Sequence, residues 1–218
     1  MLVLLLAVIG VLSLNVGAAG ASILDIIGAW SRGEELTLTE RVILFDIRLP
    51  RLAMGLLVGA ALAVSGAIMQ GLFRNPLADP GLVGVGAGAS LGAISAIVLG
   101  AALPASVAVA FGNYLVPLAA FAGGWLTTLV LYRVSTRQGR TSVAVMLLAG
   151  IALGALAVAL SGILVYMADD AQLRDLTFWG LGSVAGATWP KVFAAAPIIL
   201  LSLAAAPFLA RALNALAL

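Results

Sequence analysis

Residues able to carry out covalent chemistry are scarce in this chain of 218 residues. It contains no histidine and no cysteine, and its nine acidic residues are scattered. Without these side chains it can form neither a Ser-His-Asp nor a Cys-His nucleophile, and an ordinary zinc site lacks its ligands. We therefore expect no catalytic residues, no metal site and no cofactor. Transport or scaffolding is the better starting hypothesis.

Two nucleotide-binding motifs were considered and rejected. Residues 84–89 read GVGAGA, which matches the G-x-G-x-x-G/A pattern of dinucleotide sites. No alternating strand-helix pattern surrounds them, and no acidic residue between Asp79 and Asp169 is available to bind a ribose. The chain also lacks a P-loop, and its one lysine is Lys191. Any dependence on ATP must therefore come from a partner subunit.

Composition predicts a membrane protein. Hydrophobic residues make up 63% of the chain and charged residues 9%, with a net charge of +2 and a mean hydropathy of +1.20. A membrane helix needs about 20 apolar residues. Charge-poor intervals of that length predict an all-α polytopic protein with six spans, near residues 1–29, 52–73, 81–101, 114–132, 143–167 and 192–210. A cleaved signal peptide ending near residues 17–21 is the alternative for the first span.

The connections suggest an orientation. Residues 133–140 carry three arginines and no acid, so we place this connection in the cytoplasm. The same orientation sets Trp30, Trp179 and Trp189 at the outer interface, where indole rings prefer to lie. Residues 169–179 are too polar to span, and they predict a short helix on the outer surface with Asp169 near its N-terminus.

Small residues recur at a spacing of four in two of the predicted spans. Such spacing places a smooth stripe on one side of a helix, which favours close helix packing or lines a pathway. The stripe residues are Gly55, Gly59, Gly84, Gly88 and Gly92. Between the second and third spans, residues 74–81 contain two prolines, which predict non-helical backbone near the membrane surface.

Several runs of sequence together form a recognisable pattern: RLPR at 48–51, VGAALA at 58–63, SGAIMQ at 65–70, NPLADPGL at 75–82, LLAGIA at 147–152 and FWGLGS at 178–183. These runs resemble the FecCD-type permeases, which import haem, ferric siderophores and cobalamin. The resemblance covers essentially the whole chain, and haem-importing members are the most similar.

The resemblance implies a mechanism and partners. Family members have about ten membrane helices and work in the bacterial inner membrane as a permease homodimer, with two cytoplasmic ATP-binding subunits and a periplasmic binding protein. By this resemblance Arg48 and Arg51 would pair with glutamates of the docked binding protein. Local neutralisation by Glu40 and Asp46 is the alternative. The cytoplasmic gate would comprise Asn75, Leu77, Thr141 and Ser142.

The substrate is less well specified than the family. Residues 169–174, with Phe178 and Trp179 after them, look most similar to haem importers, so haem is favoured over a ferric siderophore and then cobalamin. Because family members continue beyond the region of Leu218, we expect the sequence to be the N-terminal six-helix part of a permease. A membrane scaffold protein that transports nothing is the alternative from another class. A secondary transporter is discounted because no charged residue lies in 81–132.

Overall fold

The computed structural model of the chain describes residues 1–17, 28, 31–33 and 35–217. In this part of the chain, five helical segments are long and apolar enough to cross a membrane. Such segments agree with the predicted all-α polytopic fold. Residues 18–27 and Trp30, which belong to the first predicted span and its outer flank, lie outside the described residues.

The chain forms two compact units. The first contains Met1–Val64 and Ser183–Ala212, and the second contains Ser65–Gly182 with Leu213–Leu218. The helical elements of the first unit are α1 (Leu2–Asn15), α2 (Leu38–Arg41), a π-helical segment (Val42–Arg48), α3 (Leu49–Phe73) and α9 (Trp189–Ala217). Helices α3 and α9 end in the second unit.

The remaining described elements belong to the second unit. In chain order its elements are a 3-10 turn (Pro80–Val83), α4 (Val85–Leu99), a 3-10 turn (Gly100–Ala102), α5 (Ala105–Phe111), a 3-10 turn (Gly112–Tyr114), α6 (Leu115–Ser135), the strands β1 (Thr136–Arg137) and β2 (Arg140–Thr141), α7 (Val143–Met167) and α8 (Asp170–Leu181). Helix α7 covers the residues of the fifth predicted span, whereas α9 extends beyond the sixth at both ends.

The helix that contains the second predicted span begins earlier than the sequence suggested. Residues 38–51 belong to the expected polar connection, but they are helical and continuous with α3. A capping box starts this helix: Thr37 Oγ1 accepts a hydrogen bond from the Glu40 amide, and the Glu40 carboxylate accepts one from the Thr37 amide. Capping can therefore start a helix within a segment whose charge marked it as a connection.

Local signals account for the ends of most helices. Helix α3 ends before Arg74, which has φ 50°, and before the Asn75-Pro76 pair. Helix α8 starts at a second capping box, in which Asp169 Oδ1 accepts from the Gln172 amide at 2.8 Å. It ends at Gly182, with φ 68°. The predicted short helix over 169–179 is therefore present, nearly as placed.

Large apolar side chains are mostly exposed on the described helices. Phe121 is 56% exposed and Ile151 is 63% exposed, whereas Ala93 is fully buried. A surface formed largely of large apolar side chains is suited to lipid rather than water as its surroundings.

Candidate functional site

Arg48 and Arg51 lie three residues apart on the continuous helix of the first unit, but their surroundings differ. Arg48 is 9% exposed, and its guanidinium donates to the carbonyl oxygen of Leu14 at the end of α1. Arg51 is exposed, and its Nε donates to the carbonyl oxygen of Ala185 at 3.0 Å. A buried guanidinium at a helix C-terminus satisfies carbonyls that have no partner within the helix.

The two arginines that the resemblance assigns to docking differ in exposure. A side chain that pairs with a docked partner must be accessible, and only Arg51 is exposed. Arg48 is buried because the end of α1 lies over it. Gly17 lies beside this guanidinium, since a Cβ added to it would lie 2.6 Å from an Arg48 terminal nitrogen. Of the two acids named for local neutralisation, the Glu40 carboxylate accepts hydrogen bonds from Thr37. Neutralisation by Glu40 and Asp46 stays the alternative to docking.

A groove of about 690 Å³ lies in the first unit beside both arginines. Its walls come from α1, the π-helical segment and the start of α3, and they are apolar except for the arginines and Ser13. Gly55 lines the groove, and a Cβ added to Gly55 would meet no atom within 4 Å. Gly59, one turn further along α3, also faces open space.

The first predicted gate pair lies in an ordered turn of the second unit. The Oδ1 atom of Asn75 accepts a hydrogen bond from the Leu77 amide at 2.9 Å, which makes an Asx turn. Leu77 is 84% exposed. The turn therefore exposes the apolar Leu77 side chain, and the Asn75 side chain holds the backbone at Leu77 in place.

The second predicted gate pair lies at the end of a β-hairpin that the sequence analysis missed. Strand β1 pairs with β2, and Thr136 Oγ1 lies 2.8 Å from Thr141 Oγ1. Ser142 caps α7, accepting from the Val145 amide at 3.4 Å. In the part of the chain that the structure describes, no hydrogen bond joins this pair to Asn75 or Leu77. The gate therefore remains a prediction for all four residues.

The glycine stripe of α4 lies at close helix contacts. A Cβ added to Gly92 would overlap the Ala119 carbonyl oxygen on α6, and one added to Gly88 would overlap the Thr127 side chain. Gly84, with φ 75°, lies against α7: its added Cβ would be 2.7 Å from the Gly150 carbonyl oxygen. Close contacts of this kind require small residues on both helices.

The partners of this stripe were missed by the sequence analysis. An added Cβ on Gly123 would overlap the Gly88 carbonyl oxygen, and one on Gly150 would lie 2.7 Å from the Leu82 carbonyl oxygen. The sequence signal for these partners was the presence of glycine within an apolar run, such as the pair Gly123 and Gly124.

Helix α8 is tied to the end of α4. Its Gln172 completes the capping box through Oε1, and its Nε2 donates to the Val98 carbonyl oxygen at 3.1 Å. One side chain therefore stabilises the start of α8 and binds it to α4. Toward the far end of α8, Phe178 and Leu181 are 66% and 76% exposed.

The sequence profile of the FecCD transport family matches residues 5–218. The chain belongs to the FecCD transport family. A chain of this family with five long apolar helices is expected to be a multi-pass membrane protein, in agreement with the fold.

Individual FecCD proteins are similar over much of the chain. The hemin transport system permease protein HmuU of Yersinia pestis is 40% identical over 99% of this chain and 61% of its own length. The cobalamin import system permease protein BtuC of Halobacterium salinarum is 40% identical over 82% of this chain and 46% of its own length. The vitamin B12 import system permease protein BtuC of Escherichia coli K12 is 42% identical over 78% of this chain and half of its own length.

A solved structure is similar across the whole fold. An inward-facing metal-chelate type ABC transporter superposes with a TM-score of 0.82 and 31% identity, covering 100% of this chain and 63% of that one. The chain thus spans about half to two thirds of the length of these relatives. The relatives are named as permeases or transporters, which agrees with the expectation of a transport subunit rather than an enzyme.

Proposed function

We propose that this chain forms part of the permease subunit of an ATP-driven importer for an iron compound, with haem as the first candidate. The single observation that carries the proposal is the family match over residues 5–218. A permease of this kind moves its substrate without covalent chemistry, which suits a chain without histidine or cysteine.

Haem is favoured over the other substrates on two grounds. The hemin permease is similar over 99% of this chain, against 82% and 78% for the two cobalamin permeases. The sequence of α8, with Phe178 and Trp179, also resembles haem importers. Cobalamin is a specific second candidate, because its permeases reach equal or slightly higher identity over the shorter matches. A ferric siderophore is the third.

The proposed partners are cytoplasmic ATP-binding subunits, a periplasmic binding protein and a second copy of the permease in the bacterial inner membrane. Arg51 is the residue best placed to pair with a carboxylate of a binding protein, because it is exposed and only its Nε donates a hydrogen bond within the described residues. Arg48 would support this site indirectly by holding the end of α1. Asn75, Leu77, Thr141 and Ser142 are proposed as the cytoplasmic gate.

The test is ATP-dependent uptake into proteoliposomes that contain the complete permease with its ATP-binding subunits and binding protein. Haem, a ferric siderophore and cobalamin would be offered separately. Uptake of haem alone would support the assignment, and uptake of cobalamin or the siderophore alone would overturn haem while keeping the importer. No ATP-dependent uptake and no association with an ATP-binding subunit would favour the scaffold alternative.

The docking step can be tested in the same assay. We expect Arg51→Glu to reduce uptake at least about fivefold, because reversing a rim charge weakens association with a complementary partner. Arg41→Glu is the matched control, since Arg41 is an exposed arginine of the same unit outside the groove. Equal uptake by the two variants would contradict a docking role for Arg51.

A further inference from the structure

The π-helical segment leaves one backbone carbonyl without the donor that regular helical bonding would provide. The carbonyl oxygen of Phe45 would accept from Leu49 in an α-helix and from residue 50 in a π-helix. The Leu49 amide donates to the Leu44 carbonyl oxygen instead, and Pro50 has no amide hydrogen to donate. The Phe45 oxygen is therefore free to accept a hydrogen bond from another element.

Trp189, the first residue of α9, provides that donor. Its indole Nε1 donates to the Phe45 carbonyl oxygen at 2.7 Å. The indole ring also stacks on Phe193, with ring centroids 5.6 Å apart, so α9 itself helps to orient the donor. The start of α9 is therefore tied to the π-helical segment by a contact between residues 144 apart in the chain.

A second hydrogen bond ties the loop before α9, residues 183–188, to the same continuous helix. The Ala185 carbonyl oxygen of this loop accepts from Arg51 Nε at 3.0 Å. The loop is also held by its own contacts, since Ser183 Oγ accepts from the Ala185 amide at 3.0 Å. Lys191 Nζ donates to the carbonyl oxygen of the residue after Ala185 at 2.9 Å. The carbonyl that meets Arg51 is thus fixed from both sides.

We propose that Trp189 is a positioning residue for docking of the periplasmic binding protein and that it acts through Arg51. The indole fixes the 183–188 loop on the helix, and the Ala185 carbonyl of that loop holds Arg51 Nε. With Nε held, the two terminal nitrogens of the planar guanidinium form the fork that pairs with a carboxylate. The proposal rests on the docking role proposed above for Arg51, to which it adds the residues that orient the side chain.

Orientation matters because exposure alone leaves an arginine free to adopt many rotamers. Fixing such a side chain in one geometry when a partner binds costs conformational entropy. A guanidinium that Ala185 already holds loses less freedom on docking, so its pair with a carboxylate is stronger. The alternative is a purely structural role, in which Trp189 only holds α9 against the π-helical segment. The two roles predict different results when Trp189 and Arg51 are changed together.

The experiment is a double-mutant cycle on the complete permease with its ATP-binding subunits in lipid nanodiscs. Surface plasmon resonance would measure the affinity for the binding protein. Trp189→Phe keeps an aromatic ring and removes the indole donor, and we expect it to weaken binding about threefold, within the range for one lost hydrogen bond. Arg51→Gln should weaken binding about fivefold. In the Arg51→Gln background, Trp189→Phe should cause no further loss.

Two further variants complete the design. Trp125→Phe is the matched control, because Trp125 lies on α6 of the second unit and is 56% exposed, and it should leave the affinity unchanged. Arg51→Lys keeps the charge, but one ammonium cannot donate to Ala185 and also offer a fork of two donors, so binding should weaken about threefold. Arg51→Lys changes only an exposed side chain, so it tests the loop even if thermal unfolding shows that Trp189→Phe is not folded.

The outcomes separate this proposal from the docking proposal. If Arg51→Gln binds as tightly as the unmodified permease, Arg51 has no docking role and both proposals are overturned. If Arg51→Gln weakens binding but Trp189→Phe causes the same loss in both backgrounds, Trp189 is structural and only the positioning proposal fails. That proposal also fails if Trp189→Phe or Arg51→Lys binds normally, or if Trp125→Phe weakens binding as much as Trp189→Phe. A loss from Trp189→Phe that requires Arg51 supports it.

Discussion

The two units use the same small-residue spacing in different ways. In the second unit, Gly88 and Gly92 of α4 lie so close to α6 that an added Cβ would overlap its atoms. In the first unit, Gly55 and Gly59 of α3 are also four residues apart, yet an added Cβ on either would meet nothing within 4 Å.

The difference shows what this spacing specifies. Glycines four residues apart on a helix produce a smooth face in both units, because residues four apart lie on one side of a helix. Whether another backbone covers that face depends on a matching smooth face elsewhere, such as the one around Gly123 on α6. In the first unit no described residue covers the face, and Gly55 lines the groove beside the arginines.

Substitution of the two kinds of glycine should give the largest effect. We expect Gly92→Leu to lower the free energy of unfolding by about 3 kcal/mol or more, because the side chain would force α4 away from the Ala119 carbonyl. Gly59→Leu should change it by about 0.5 kcal/mol or less. The measurement is unfolding in mixed micelles titrated with a denaturing detergent. Similar losses of unfolding free energy in the two variants would contradict the difference between covered and open glycines.

The same contrast between covered and open surroundings applies to the two arginines. Arg48→Gln should lower the free energy of unfolding by about 1–3 kcal/mol, since it removes a buried donor to the Leu14 carbonyl. Arg51→Gln should change it by about 0.5 kcal/mol or less because Arg51 is exposed. Thermal unfolding of both variants checks this order, and a larger loss for Arg51→Gln would contradict the burial of Arg48.

A smaller effect is expected at the start of α8, on the exposed side of the second unit. Asp169→Ala should destabilise this helix by about 1 kcal/mol, because the Gln172 amide loses its acceptor. Asp169→Asn keeps a capping oxygen and serves as the control. Hydrogen exchange of the amides of residues 170–181 measures the effect. Unchanged exchange in Asp169→Ala would show that the tie from Gln172 to Val98 holds the helix without the cap.

The smallest effect is expected from substitution of Gln138 in the hairpin. Gln138 and Gly139 both have positive φ, 52° and 73°, the geometry of a type I′ turn, for which Asn-Gly is the preferred pair. Gln138→Asn should therefore stabilise the protein by about 0.5 kcal/mol, and Gly139→Ala should destabilise it by about 1 kcal/mol. A shift of the thermal midpoint in the same direction for both variants would contradict the turn assignment.

Properties that depend on composition and on near neighbours in the chain were predictable from the sequence. The apolar runs predicted long membrane helices, and polar residues 169–179 with Asp169 predicted the start of α8, because transfer to lipid and helix capping are local effects. The FecCD resemblance followed from runs of sequence that also require no knowledge of packing, and the family match over residues 5–218 bears it out.

Which side chains are covered by another helix could be seen only in the folded structure. The sequence does not distinguish Arg48 from Arg51, but the end of α1 covers only Arg48. The sequence also does not distinguish Gly55 from Gly92, but α6 covers only Gly92. The hairpin at Gln138 was missed because its arginines led us to interpret the segment only as a charged connection and not as a turn. Burial and close approach depend on residues distant in the chain, so no local pattern could specify them.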